Sequence, residues 1–169
     1  MVWEGSHQRG EGAITTQSAV LKKAPYVSGN HLKRRRGTNP PELIAAAHAS
    51  SFSMALANEL GQAGYCPEQI DTTATVTMEH VAAGWTMTGI HLDVIACVPR
   101  AAQCDFIDAA VRAKTSCSIS RLLHAKVSMC AKLKRRAAER RIFPLTSGPG
   151  LDAILKSKQK KKTQYGIKR

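Results

Sequence analysis

Acidic residues are scarce in this chain: 12 Asp and Glu stand against 25 Lys and Arg in 169 residues, a formal net charge of +13. The imbalance is local. Residues 134–169 hold twelve Lys and Arg against two acidic residues, leaving thirteen against ten in the first 133. A nucleic-acid-binding role must therefore rest on the tail. The tail's only aromatics are Phe143 and Tyr165, too few to interleave base-stacking platforms with charge. Long apolar runs are also missing. None reaches the roughly 18 residues that a membrane span needs, and the best candidate, 40–60, contains His48, Asn58 and Glu59. A soluble protein without a membrane partner is expected.

Two further absences exclude common chemistries. No glycine-rich loop joins a strand-like run to a helix-like one, and Ser147-Gly148-Pro149-Gly150 follows no strand, so a phosphate cradle is not encoded. The five cysteines (Cys66, Cys97, Cys104, Cys117, Cys130) include no CxxC pair, and the histidines are scattered, so neither a metal nor a cofactor is expected. Their odd number and the lack of a secretory leader pattern suit free thiols in the reducing cytoplasm better than a disulfide frame.

What is present is one strong helix signal. Gly37–Leu60 reads GTNPPELIAAAHASSFSMALANEL, with Asn39 to cap, Pro40 suited to the first turn and glycines at 61 and 64 to stop. The helix is apolar nearly all round and rich in small residues, so it should be enclosed, with a second copy of itself as the natural cover. Met1–Ala24 reads as short strands and turns: Val2-Trp3-Glu4 begins abruptly, Gly10-Glu11-Gly12 is a turn, 13–16 and 19–21 are strand-like, and Pro25–Arg36 reads as a loop. Ile70–Glu79 alternates, and Ala82-Ala83-Gly84 turns the chain back. A second alternating run continues to Val98 with a phase slip at Thr88-Gly89 that marks a bulge. Asp105–Lys114 has helical spacing, a short helix follows at 118–124, and Ala125–Leu133 is a last strand. Lys134–Arg169 shows no apolar periodicity and is expected to be a disordered tail.

Two positions carry the chemistry. Ser51 lies in mid-helix rather than on a strand-to-helix elbow, with His48 three residues before it, so a serine hydrolase is not indicated. Both are expected to bond to local carbonyls. Cys117 precedes Ser118-Ile119-Ser120 and a short helix, a setting that lowers a thiol pKa and raises its reactivity, although a half-buried structural thiol fits the spacing equally well.

The segment GTNPPELIAAAHASSFSMALANELG resembles the central-helix signature of the OsmC/Ohr family, especially its OsmC branch. Trp3-Glu4-Gly5, Pro25-Tyr26, Ile70–Ala74, Gly84-Trp85, Ile90–Val94 and Ala113-Lys114…Cys117…Ser120 match in order, so the resemblance spans about residues 2–133, entering within the family's first strand. It implies an α+β fold, with antiparallel sheets wrapped around long central helices in an intertwined homodimer. It also implies a peroxiredoxin-like organic hydroperoxide reductase serving oxidative and osmotic stress. In that chemistry a peroxidatic thiolate attacks the peroxide, an arginine and a glutamate activate it, a resolving cysteine condenses with the sulfenate, and a dithiol reduces the disulfide.

Carried over by position, the peroxidatic cysteine falls on Ser51 and the resolving cysteine on Cys117. The arginine falls on His31, and the glutamate on Pro41 with Glu42 beside it. The resemblance thus implies the family's fold with its reductase activity lost or severely reduced. Two alternatives stand beside it: a one-cysteine peroxidase using Cys117, and a nucleic-acid-binding module using the tail.

Overall fold

The computed structural model describes residues 1–7, 9–27 and 37–134. His31, the basic run at 33–36 and the tail from 135 onward lie outside the described residues, as does the nucleic-acid role that depends on that tail. All the described residues belong to one unit, Met1–Arg136.

Three short strands open the chain: β1 (Val2–Glu4), β2 (Glu11–Ile14) and β3 (Ala24–Val27) form an antiparallel meander. The turn expected at 10–12 is strand from Glu11 onward, paired on both sides, the strand expected at 19–21 is a turn, and the loop expected from Pro25 begins with β3. Ala19 and Lys23 adopt positive φ, and the Thr16 amide and hydroxyl close onto Leu21, so a polar turn occupies this stretch. Pro25 is tolerated because β3 is a sheet edge, where a missing donor costs least. Gly10 lies against the Trp3 ring, where a Cβ would come within 2.6 Å of it. Among the described residues no helix, and no strand of the second sheet, packs extensively on this meander.

The chain returns beside β3 through Thr38 and enters α1 (Pro40–Gln62). Asn39 caps it, its side-chain oxygen accepting from the Glu42 amide at 3.0 Å, and Pro40 fills the first position, where no amide donor is needed. The helix runs through Gly61 and stops at Gly64, whose φ of +79° suits only glycine well.

Then β4 (Gln69–Val81) and β5 (Gly84–Cys97) form a long hairpin. Thr88 is the extra residue in β5, since Thr77 faces Gly89 and Met78 faces Met87, which is the expected bulge. α2 (Gln103–Ser116) and α3 (Ser118–Leu122) cross over the sheet to β6 (Lys126–Leu133). That helical crossover brings β6 alongside β5 in parallel, so the second sheet is mixed rather than antiparallel throughout. The ladder reaches one residue past the expected boundary, where the Lys134 amide donates to the Ala96 carbonyl at 2.7 Å.

The core lies between this sheet and the helices. Phe52, Leu56 and Leu60 of α1 meet Ile90, Leu92, Val94 and Ala96 of β5 and Phe106, Ala109, Ala110 and Ala113 of α2. The sequence led to a helix enclosed on all sides; among the described residues of one chain α1 is covered on one face only. Its buried stripe, His48-Phe52-Leu56-Leu60, repeats every four residues, while Ala46, Ala47, Ser50 and Met54 are exposed, Met54 at 74%. Among the described residues no helix is long and apolar enough to cross a membrane.

Candidate functional site

The buried stripe of α1 fixes where its polar residues go. His48 belongs to the stripe and is fully enclosed, while Ser51, three residues on, sits half-buried on the shoulder. Opposite them, Cys117 is the joint between α2 and α3, ending one helix and capping the next. Its side chain is 1% exposed.

The two positions singled out in the sequence meet here. The Cys117 thiol donates to Ser51 Oγ at 3.3 Å, and Ser51 Oγ shares a hydrogen bond with Ser118 Oγ at 3.2 Å. His48 Nε2 lies 2.8 Å from Ser120 Oγ. His48 and Ser51 therefore bond to hydroxyls and a thiol across to α3, not to local carbonyls as expected. Ser50 and Ser53 play that local part, donating to the carbonyls of Ala47 and Ala49. The difference is geometric: Ser50 and Ser53 lack a polar partner on α3, whereas the positions facing α3 find one.

The electrostatics of the pair follow from burial and hydrogen bonding. Burial pushes the Cys117 thiol up. Hydrogen bonding with Ser51, with the Ser120 amide and hydroxyl and with the Ile119 amide outweighs it, and the thiol lies below its usual range. Hydrogen bonds, not a cation, produce the shift. Burial alone pushes the His48 imidazole down, so it stays neutral near pH 7. Its Nδ1 is buried and has no hydrogen-bond partner among the described residues.

That neutral imidazole has a consequence for stability. The unfolded chain binds a proton at this histidine as pH falls through about 6.5, and the folded chain resists doing so until the pH reaches its lowered value. Stability is full above that unfolded value. It should fall on acidification by at most about 1.4 kcal/mol per pH unit until the folded value is reached. Urea midpoints of the chain and of His48→Gln between pH 7 and 5 should differ in slope, the variant being flatter; parallel slopes would refute the assignment.

The other assigned positions stand apart from this cluster. Pro41 and Glu42 lie at the start of α1, ten and nine residues before Ser51, about 15 Å along the helix at ~1.5 Å per residue. Glu42 is occupied at the cap, where its carboxylate accepts from Asn39 Nδ2 at 3.4 Å. Ser120 and the depth of His48 were missed as parts of the site. The Ser-x-Ser following Cys117 was the available signal. No group of three or more His, Cys, Asp or Glu among the described residues could hold a metal ion.

Residues 31–131 match the model of the family described as OsmC-like protein. The chain is 42% identical over 132 residues to the peroxiredoxin OsmC of Escherichia coli strain K12, covering 78% of this chain and 92% of that protein. Among solved structures it is similar to the organic hydroperoxide resistance protein OhrB of Bacillus subtilis. That match has a TM-score of 0.59 at 20% identity, over 79% of this chain and 95% of the other. A Legionella pneumophila structure described as an organic hydroperoxide resistance protein OsmC aligns with a TM-score of 0.58 at 18% identity, over 79% and 93%.

Proposed function

Because the chain belongs to the OsmC family, we propose that it descends from peroxide-reducing enzymes of the stress response and has lost their two-cysteine hydroperoxide reductase cycle, wholly or nearly so. One observation carries this: Ser51 Oγ stands 3.3 Å from Cys117 Sγ, an oxygen where that cycle calls for a second sulfur. A serine hydroxyl is not ionised near neutral pH, and its oxygen has no counterpart to the sulfenic acid that a thiolate forms. Pro41, in the place assigned to an activating glutamate, offers no carboxylate, and Glu42 is engaged at the helix cap. The peroxiredoxin name of the 42% identical relative supports the peroxide-linked lineage.

A one-cysteine peroxidase is the second reading, favoured by the hydrogen bonds that hold the Cys117 thiol low. Its burial, at 1% exposure, counts against turnover, because every cycle must admit a reducing thiol to the sulfur. The test is the rate at which the chain consumes tert-butyl hydroperoxide with dithiothreitol present. Beyond at most about one equivalent per chain, the expected rate is that of the protein-free control. Turnover that disappears in Cys117→Ser would replace this reading with the one-cysteine enzyme.

The same reading makes the molecule a cytoplasmic homodimer. The exposed face of α1 around Ala46, Ala47, Ser50 and Met54, and the N-terminal meander, on which no described helix packs extensively, are the surfaces a second copy would cover. Residues 1–133 then form the domain, and 134–169 a basic appendage.

A further inference from the structure

We propose that Ser128, His91 and Asp93 form a separate acyl-transfer site, at which the serine hydroxyl takes the acyl group from small activated carboxylic esters. The inference goes beyond the peroxide-linked reading and shares no residue with it.

The sheet places the three side chains. Along β5, Ile90, Leu92, Val94 and Ala96 point into the core, so Gly89, His91, Asp93 and Ile95 stand on the opposite face. β6 runs beside it in parallel and in phase: His91 faces Ser128, and Asp93 faces Cys130. Val127 and Met129 pack inward, which turns Ser128 out beside the imidazole. His91 Nδ1 and Ser128 Oγ are 2.8 Å apart, and Asp93 Oδ1 lies 3.4 Å from His91 Nε2.

Each contact sets up the next. A carboxylate can only accept, so Asp93 favours the tautomer with its hydrogen on Nε2. Nδ1 then presents a lone pair to the Ser128 hydroxyl, at the separation a general base needs. A nucleophile within hydrogen-bond reach of a base, itself oriented by a third group, is the arrangement that activates a serine. Ser51 lacks it, since its partners are a thiol and another hydroxyl. Ser128 Oγ also lies 3.5 Å from the Ile90 carbonyl, a contact too long to compete with the imidazole.

The surroundings select the substrate. His91 and Asp93 are 42% and 59% exposed, so no enclosed pocket recognises a large acyl group, and water reaches the acyl-serine. Gly89 leaves room between Thr77 and Lys126, where an added Cβ would meet nothing closer than 3.7 Å. A short acyl chain fits there. His91 and Ser128 lie within strands rather than at a turn or helix end, so no cluster of free amides awaits an oxyanion. Lys126 is the cation on the same face of β6, two residues before Ser128 and about 7 Å along the strand. It takes part in no ion pair among the described residues. The site therefore suits esters whose leaving group departs as a stable anion.

In the reaction Ser128 Oγ bonds to the acyl carbon as its proton passes to His91 Nδ1. The C–O bond to the leaving group breaks, and that group departs with the electron pair and takes the proton from Nδ1. Water, giving a proton to the same nitrogen, then attacks the acyl carbon. The carboxylic acid leaves and Ser128 recovers its hydrogen, with no change of oxidation state.

The test gives the full chain excess p-nitrophenyl acetate, follows p-nitrophenol release, and quenches samples in acid for peptide mass spectrometry. Acetyl should appear on Ser128, and release should continue after the serine is labelled. Ser128→Ala should lose the adduct and lower the sustained release at least about tenfold, and His91→Gln should match it. Asp93 acts through the imidazole. Asp93→Asn should fall as far, because an amide N–H facing Nε2 favours the wrong tautomer, and Asp93→Glu should recover most of the rate. Contacts this exposed add little to stability, so these substitutions leave the fold standing. Acetyl confined to lysines and cysteines would overturn the inference, as would release unchanged in Ser128→Ala or labelling of Ser128 that survives His91→Gln.

Discussion

Ser51→Cys, treated with hydrogen peroxide in the absence of reductant, is expected to close a disulfide between positions 51 and 117. The Ser51 and Cys117 side-chain atoms already lie 3.3 Å apart, so a sulfur at position 51 would stand against Sγ of Cys117, where the ~2.0 Å bond of a disulfide can form. The parent chain offers one sulfur and one oxygen, so the same treatment adds oxygen to Cys117 and closes nothing. Mass spectrometry separates the two results. The variant loses about two daltons, restored by dithiothreitol, while the parent gains about sixteen at Cys117. A Ser51→Cys chain whose two thiols stay reduced under excess peroxide would show that the pair does not meet as described. Closure of the bond concerns geometry alone; recovery of turnover would depend also on the groups at positions 31 and 41.

The second large effect is structural. Phe52, next to Ser51, is fully enclosed between β5 and α2 and shares the core with Leu56, Ile90, Leu92 and Phe106. Phe52→Ala removes most of a ring from a close-packed interior. It should cost about 3–5 kcal/mol, a large share of the roughly 5–15 kcal/mol that holds an average domain folded. The urea midpoint should drop accordingly. The loss should reach the site as well, because the turn of α1 that carries Ser51 is pinned by this side chain. A midpoint within experimental scatter of the parent would contradict the packing of α1 on the sheet.

These two neighbouring residues illustrate what could be read in advance. Capping residues and an apolar run marked the long helix, while alternation and helical spacing marked the hairpin with its bulge at Thr88, the second helix and the last strand, because each of these carries a periodic apolar face. The N-terminal strands were harder. At 19–21 a β-like composition lies in a turn closed by Thr16 hydrogen bonds and positive φ at Ala19 and Lys23, which no apolar pattern announces. The direction of β6 was also hidden, since pairing partners are set by the helical crossover and not by the strand's own residues.

At the site, position assigned Ser51 and Cys117 through resemblance, and the fold brings them to 3.3 Å. The hydroxyls of Ser118 and Ser120 and the buried His48 belong to the same cluster only through the packing of α3 on α1, a long-range contact with no local signature. The exposed face of α1 is the converse case. A helix apolar nearly all round was legible from composition, but the described residues of one chain cover only the stripe from His48 to Leu60.

The central claim is that the scaffold persists while the catalytic pair has been reduced to a single sulfur. The most direct measurement is the number of equivalents of tert-butyl hydroperoxide consumed per chain in excess dithiothreitol. The account predicts consumption above the protein-free control that stops at about one equivalent or less, the limit for one sulfur oxidised once. Sustained consumption over many equivalents, abolished in Cys117→Ser, would contradict it.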